Sequence, residues 1–133
     1  MLYYLLTLAE RDCSIFTSAM KTLNRVNLIG HLGSDPICRA INESIKVAHA
    51  TIATNDTFRD KLGKMNTITE WHQLIFWGKL ALIVEQHLRK GSLIHVEGKL
   101  KSRVYDDKQG VRRVVIEIIV EDLIILKQPN DAH

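Results

Sequence analysis

The sequence predicts an all-β fold: a barrel of five strands with one α-helix between the third and the fourth. Three observations lead there. Most of the chain alternates apolar and polar side chains at strand period. The alternating segments are separated by turn residues, as at Gly33-Ser34-Asp35-Pro36, Asn42-Glu43-Ser44 and Tyr105-Asp106-Asp107-Lys108-Gln109-Gly110. One stretch alone, Gly78 to Gly91, changes to helical period. At 133 residues, 46% hydrophobic and 25% charged, the chain fits a single domain with a real core.

Residues 1–20 differ in character and read as an N-terminal extension outside the domain. Leu2-Tyr3-Tyr4-Leu5-Leu6-Thr7-Leu8 is apolar but too short to span a bilayer. It has no basic leader, and Glu10-Arg11-Asp12 interrupts it early, which argues against a secretory signal. Its single arginine and two acids argue against a mitochondrial transit peptide as well. The regular pattern begins just after Met20, so Met20 is an alternative start. The cytoplasm is the expected location, and a bacterial nucleoid the expected setting. No membrane association is expected.

The domain occupies residues 21–127. Leu23 to Leu32 is the first strand, with Val26, Leu28, Gly30 and Leu32 on one side. Gly30 and Gly33 suggest the bends that a small barrel needs at its corners. Ile45 to Thr54 is the second strand, whose alanines imply close packing on one side. Asn55 to Met65 reads as a charged loop carrying Phe58, Arg59 and Lys61. The helix follows the third strand, with Leu80, Ile83, Val84, His87 and Leu88 on one face. Arg89 and Lys90 would sit in its last turn and Gly91 just beyond it. Ser92 to Val104 and Val111 to Leu126 are the last two strands, the latter broken at Glu121-Asp122. Residues 128–133 form a short polar tail.

The third strand, Asn66 to Trp77, carries the strongest functional signal. At strand period Trp71, Gln73, Ile75 and Trp77 share one face, and His72, Leu74 and Phe76 share the other. Leu74 and Phe76 already supply a core face. Two tryptophans on the opposite side then read as a platform for flat ligands. The net charge of +3 and pI of about 9.0 are compatible with a nucleic acid and do not establish one.

Five strands with a helix between the third and fourth is the order of an OB-fold, a partly open Greek-key barrel whose exposed face and loops bind oligonucleotides. The motifs agree with that order. They are Asn24-Arg25-Val26, Gly30-His31-Leu32-Gly33-Ser34-Asp35-Pro36, Ala53-Thr54-Asn55, Thr69-Glu70-Trp71-His72, Trp77-Gly78-Lys79-Leu80-Ala81, Leu88-Arg89-Lys90-Gly91-Ser92 and Val96-Glu97-Gly98-Lys99-Leu100. In this combination and order the chain resembles the single-stranded DNA-binding proteins of the bacterial and mitochondrial type, from about Leu23 to Leu126.

That resemblance implies stacking of DNA bases on Phe58, Trp71, Trp77 and Tyr105. Beyond Lys21 the only other aromatic is Phe76, on the core face. Arg59, Lys61, Lys79, Lys101 and Arg103 are the candidate phosphate contacts; Lys101 and Arg103 share a face with Lys99 by alternation. Gln73 stands where the family often has a basic residue, so no phosphate contact carries over there. Asp106 and Asp107 are expected to weaken the grip of the loop beside Tyr105. The resemblance also implies a homotetramer, a dimer of dimers, with His72 at a subunit contact. Bacterial members usually end in a flexible linker and an acidic tip; this chain stops at Pro129-Asn130-Asp131-Ala132-His133, so tail-mediated protein partners are not expected.

Chemistry other than binding finds little support. Cys13 and Cys38 have no metal-ligand spacing, and His31, His49, His87 and His95 form no ligand or triad pattern. There is no nucleophile elbow, phosphate loop or paired-carboxylate site. No enzymatic activity, cofactor or metal is expected. Two rival readings keep the same residues: an OB-fold module for RNA or for a replication-restart complex, and a structural oligomer glued by the tryptophan pair.

Overall fold

The computed structural model describes residues 22–129. The extension at residues 1–20 and the end of the polar tail lie outside the described residues. The elements in chain order are β1 (Val26–Leu32), β2 (Ile37–Ala40), β3 (Lys46–Arg59), β4 (Met65–Trp77), helix α1 (Lys79–His87), β5 (Leu93–Asp106) and β6 (Arg112–Lys127).

Five of the six strands make the barrel. They run in the order β1-β5-β6-β4-β3, and β3 returns to β1 through His31↔Ala53 and Leu32↔Ile52. The sheet therefore closes on itself, as an OB-fold requires. The helix follows the tryptophan strand as expected, between β4 and β5 once β2 is counted. β2 is an addition to the expected five. It has only four residues, pairs with β3 alone and keeps Ile37 exposed, so it offers no alternation to read.

Closure depends on a close approach. A Cβ on Gly30 would stand 2.1 Å from the carbonyl oxygen of Ala53, so only glycine lets β1 meet β3 there. Inside the barrel Phe76, Ile52, Leu74, Ile94, Val84 and Val96 are almost completely buried. Ala48 and Ala50 on β3 keep the wall thin enough for Phe76, which lies opposite Ala48 in register.

Several boundaries differ from the sequence reading, each for a local reason. Helix α1 ends at His87 because Leu88 turns extended and drops into the core. Arg89, Lys90 and Gly91 then belong to a turn, in which the Gly91 amide donates to Leu32 O and the Ser92 amide to Arg89 O. The core side of the helix is Ala81 and Val84, with Leu80 partly buried; Ile83 and His87 are exposed. β6 does not break at Glu121. Gly98 pairs with Val120 and Glu97 with Asp122, so Glu121 is the extra residue of a β-bulge and the strand continues to Lys127. Cys38 packs against the core as a small filler, and burial pushes its thiol pKa up. No described helix is long and apolar enough to cross a membrane.

Candidate nucleic-acid interface

β4 keeps the two faces that its sequence implies. Leu74 and Phe76 are in the core at 1% and 0% exposure, whereas Trp71 and Trp77 are 58% and 48% exposed. The ring of Trp71 lies across Gly33, close enough that a Cβ there would stand 2.3 Å from Cζ3. A residue read as a barrel bend is thus also the floor beneath the first indole. Ile75, between the two tryptophans, is buried at 5%. Its neighbours in register are His49 on β3 and Ile119 on β6, and they close over it.

Cross-strand register extends this face over five strands, because residues directly opposite one another share a side. One row runs Arg39, Val47, Trp77 across β2, β3 and β4. A second runs Thr51, Gln73, Glu117, Lys101 across β3, β4, β6 and β5. Between them lies a groove with a cavity of about 310 Å³, floored by Ile75, Ile119 and Glu117 and rimmed by Trp77, Arg39, Lys101 and Arg103.

Phe58 and Tyr105 are not loop residues. They sit at the ends of β3 and β5, which outrun the barrel as hairpin arms, and both are exposed. Tyr105 shares the face of Lys101 and Arg103. Phe58, opposite Asn66, falls by alternation on the other face of the β3–β4 arm from Trp71 and Trp77. A strand touching all four rings must pass around that arm rather than along one flat sheet. Arg59 is the last residue of β3, and Lys61 lies in the tight turn that follows; neither borders the groove. Lys79 opens helix α1 one residue beyond Gly78, on a separate surface with Lys46 and Leu82.

The charges are organised by pairing. Arg103 Nε and Nη2 donate to the two oxygens of Glu117 at 3.1 and 3.3 Å, and the Arg103 guanidinium lies 5.6 Å from the Tyr105 ring centroid. Hydrogen bonding to Glu117 pushes the Arg103 pKa further up. The acids beside Tyr105 are paired too: Asp106 faces Arg112 at 3.9 Å and Asp107 accepts from Arg113 at 3.0 Å. Asp107 also accepts the Gln109 and Val111 amides, and Asp60 accepts those of Leu62 and Lys64 across the other hairpin. Backbone hydrogen bonds first, then the side chains of Arg113 and Asn66, hold both carboxyls below the usual range. Asp107 is thus engaged within the hairpin, whereas Asp106, among the described residues, keeps only its exposed pair with Arg112. His72 is half-buried on the core side, its Nε2 2.9 Å from Thr54 Oγ1. Among the described residues no cluster of three or more His, Cys, Asp or Glu side chains could hold a metal ion.

Residues 23–126, which contain the first five strands, the helix and all but the last residue of β6, match the Single-strand binding protein family. The chain belongs to that family. It is 42% identical over 115 residues to single-stranded DNA-binding protein 1 of Xylella fastidiosa, covering 86% of this chain and 85% of that one. It is 43% identical over 105 residues to single-stranded DNA-binding protein 1 of Chlorobaculum tepidum, covering 78% of this chain and 65% of the relative. Among solved structures it resembles the Plasmodium falciparum SSB complex with ssDNA, with a TM-score of 0.73, 30% identity, and coverage of 80% and 97% of the two chains. A deletion mutant of the single-stranded DNA binding protein from Thermus aquaticus gives a TM-score of 0.68 at 29% identity, covering 80% of this chain and 52% of that one. The family is one of DNA-binding proteins rather than enzymes.

Within this member of the Single-strand binding protein family, sequence reasoning overlooked two groove residues, Arg39 and Glu117, and the glycine beneath Trp71. Arg39 was hidden with its short strand. Gly33 carried no sign that it supports a ring. Glu117 did carry a signal, as the lone acid within Val114-Val115-Ile116-Glu117-Ile118-Ile119-Val120. A carboxylate in so apolar a run has to find a cation once buried.

Proposed function

We propose that the protein binds and covers single-stranded DNA without sequence preference, serving replication, recombination and repair. The observation that carries this reading is the pair of exposed indoles, Trp71 and Trp77, on the outer side of a strand whose inner side is core. Every base has a flat face, so each ring contributes ~1–3 kcal/mol whatever the base. Phe58 and Tyr105 on the hairpin arms add two further platforms. Lys101 at the groove rim, with Arg59, Lys61 and Lys79 on the surfaces around it, offers charge to phosphates. Each contact would steepen the dependence of binding on salt by ~0.7 log units.

The same reading includes self-association as a homotetramer, a dimer of dimers. Leu100, Val104, Val114 and Ile116 lie on the inner side of the β5–β6 arm, where the arm outruns the core, and all four are exposed. Apolar side chains grouped in this way mark contact surfaces. His72, whose Nε2 lies 2.9 Å from Thr54 Oγ1, is the subunit-contact residue of this reading.

Titration with oligo(dT) of increasing length, read by tryptophan fluorescence and by mass in solution, tests both parts. Stacking predicts strong quenching at low salt, and assembly predicts a mass of four chains. A titration at low salt without quenching would reject the stacking reading and favour an interface role for the tryptophans. Stronger binding of a structured RNA than of oligo(dT) would reject single-stranded DNA as the ligand.

A further inference from the structure

The groove beneath Trp77 holds two arginines in opposite circumstances. Arg103 is engaged on two sides, by the Glu117 carboxylate at 3.1 and 3.3 Å and by the Tyr105 ring at 5.6 Å. Its partner Glu117 is only 6% exposed. For a phosphate to take Arg103, that buried carboxylate would lose its cation, and an uncompensated buried charge is among the costliest things a protein can hold. Arg39 is the reverse case. It is exposed, makes no hydrogen bond or ion pair among the described residues, and lines the same groove. It also stands in the cross-strand row of Trp77, two strand spacings or about 10 Å away.

We propose that the two arginines have different roles: Arg39 is a phosphate contact of the Trp77 subsite, and Arg103 is a positioning residue that Glu117 holds against Tyr105. Arg39 is thus a binding residue additional to those implied by family resemblance, and Arg103 leaves the set of phosphate ligands. In this arrangement Arg103 covers one face of the Tyr105 ring and fixes its orientation. The other face is left for a base. Arg39 and Lys101 flank Trp77 from opposite sides of the groove, so the backbone of a strand stacked on Trp77 meets a free cation on either side. The inference rests on single-stranded DNA binding at this face.

The test compares the salt dependence of oligo(dT) binding for the full chain, Arg39→Gln, and the double variant Arg103→Gln with Glu117→Gln. The double variant leaves no buried charge unpaired and retains an amide-to-amide hydrogen bond, so its fold is spared; a thermal melt checks this. Arg39→Gln is expected to lower the slope of log affinity against log salt by ~0.7. The double variant is expected to weaken binding by a constant factor at every salt with the slope unchanged. An unchanged slope in Arg39→Gln, or a slope lowered by ~0.7 in the double variant, overturns the assignment. So does a double variant that binds as tightly as the parent. Failure of the unmodified chain to bind oligo(dT) would instead overturn the underlying function.

Discussion

Gly33→Ala should weaken DNA binding through a residue that need not touch DNA. A Cβ at this position would stand 2.3 Å from Cζ3, 2.9 Å from Cη2 and 3.3 Å from Cε3 of Trp71. Carbon atoms rest about 3.5–4.0 Å apart. The six-membered ring must therefore retreat by about 1 Å or tilt off its floor. The ring is 58% exposed, so it can move into solvent without disturbing the core. The Gly33 amide also keeps its bond to Thr51 O, and stability should be nearly unaffected. Binding should suffer, because a displaced indole no longer offers its face in the prepared position. A full stack contributes ~1–3 kcal/mol. Loss of part of one predicts about 1 kcal/mol, roughly fivefold in affinity. The assay is fluorescence titration with oligo(dT) in a Trp77→Phe background, where Trp71 is the only tryptophan of the chain. Trp71→Ala in the intact chain sets the ceiling. If Gly33→Ala folds normally yet binds within twofold of its parent, the support of Trp71 by Gly33 has no part in binding.

Other expectations concern the frame and its charges. Phe76→Ala should cost ~3–5 kcal/mol of stability by emptying the barrel centre, measured by chemical denaturation. Gly30→Ala should destabilise by opening the seam at Ala53, since the obstructing atom is a backbone oxygen at 2.1 Å; a melting curve unchanged from the parent would contradict this. Asp60 and Asp107 have folded-state pKa values below the ordinary 3.8, so their stabilisation is complete above that value and lost as pH falls through the lower folded value. Thermal melts taken from about pH 5 downward should show the loss, and Asp60→Asn with Asp107→Asn should flatten it. Lys79→Gln should lower the salt slope of binding by ~0.7 if the strand passes over the start of helix α1, and leave it unchanged otherwise.

The alternation between Trp71 and Trp77 was enough to separate core from outer face, because β4 runs through the middle of a two-sided sheet. Closure of the barrel was legible more faintly, through glycines in strands where no turn was needed. Other features depended on partners distant in sequence. Ile75 shares a face with the tryptophans, yet His49 and Ile119 bury it, and neither is near in the chain. The reach of β3 and β5 to Phe58 and Tyr105 follows from pairing with β4 and β6 across short turns, which overrides the polar composition that marked those segments as loops. The Arg103–Glu117 pair depends on the register of β5 on β6, and the bulge at Glu121 is part of what sets that register. A four-residue strand such as β2 is too short for any period to emerge, so Arg39 went with it.

The seam between β1 and its neighbours has a further consequence, for the order in which the chain can acquire structure. Val26 pairs with Gly98 and His31 with Leu93, so the first strand waits for more than half of the chain before its main partner exists. The β3–β4 arm, by contrast, closes across the short turn at Asp60 to Lys64. Long-range pairing makes folding slow, in the range of milliseconds to seconds for barrels of this kind. A growing chain would thus display its tryptophan hairpin well before it has a barrel to mount it on. During that interval Leu74 and Phe76, later the centre of the core, face solvent on the same strand as Trp71 and Trp77.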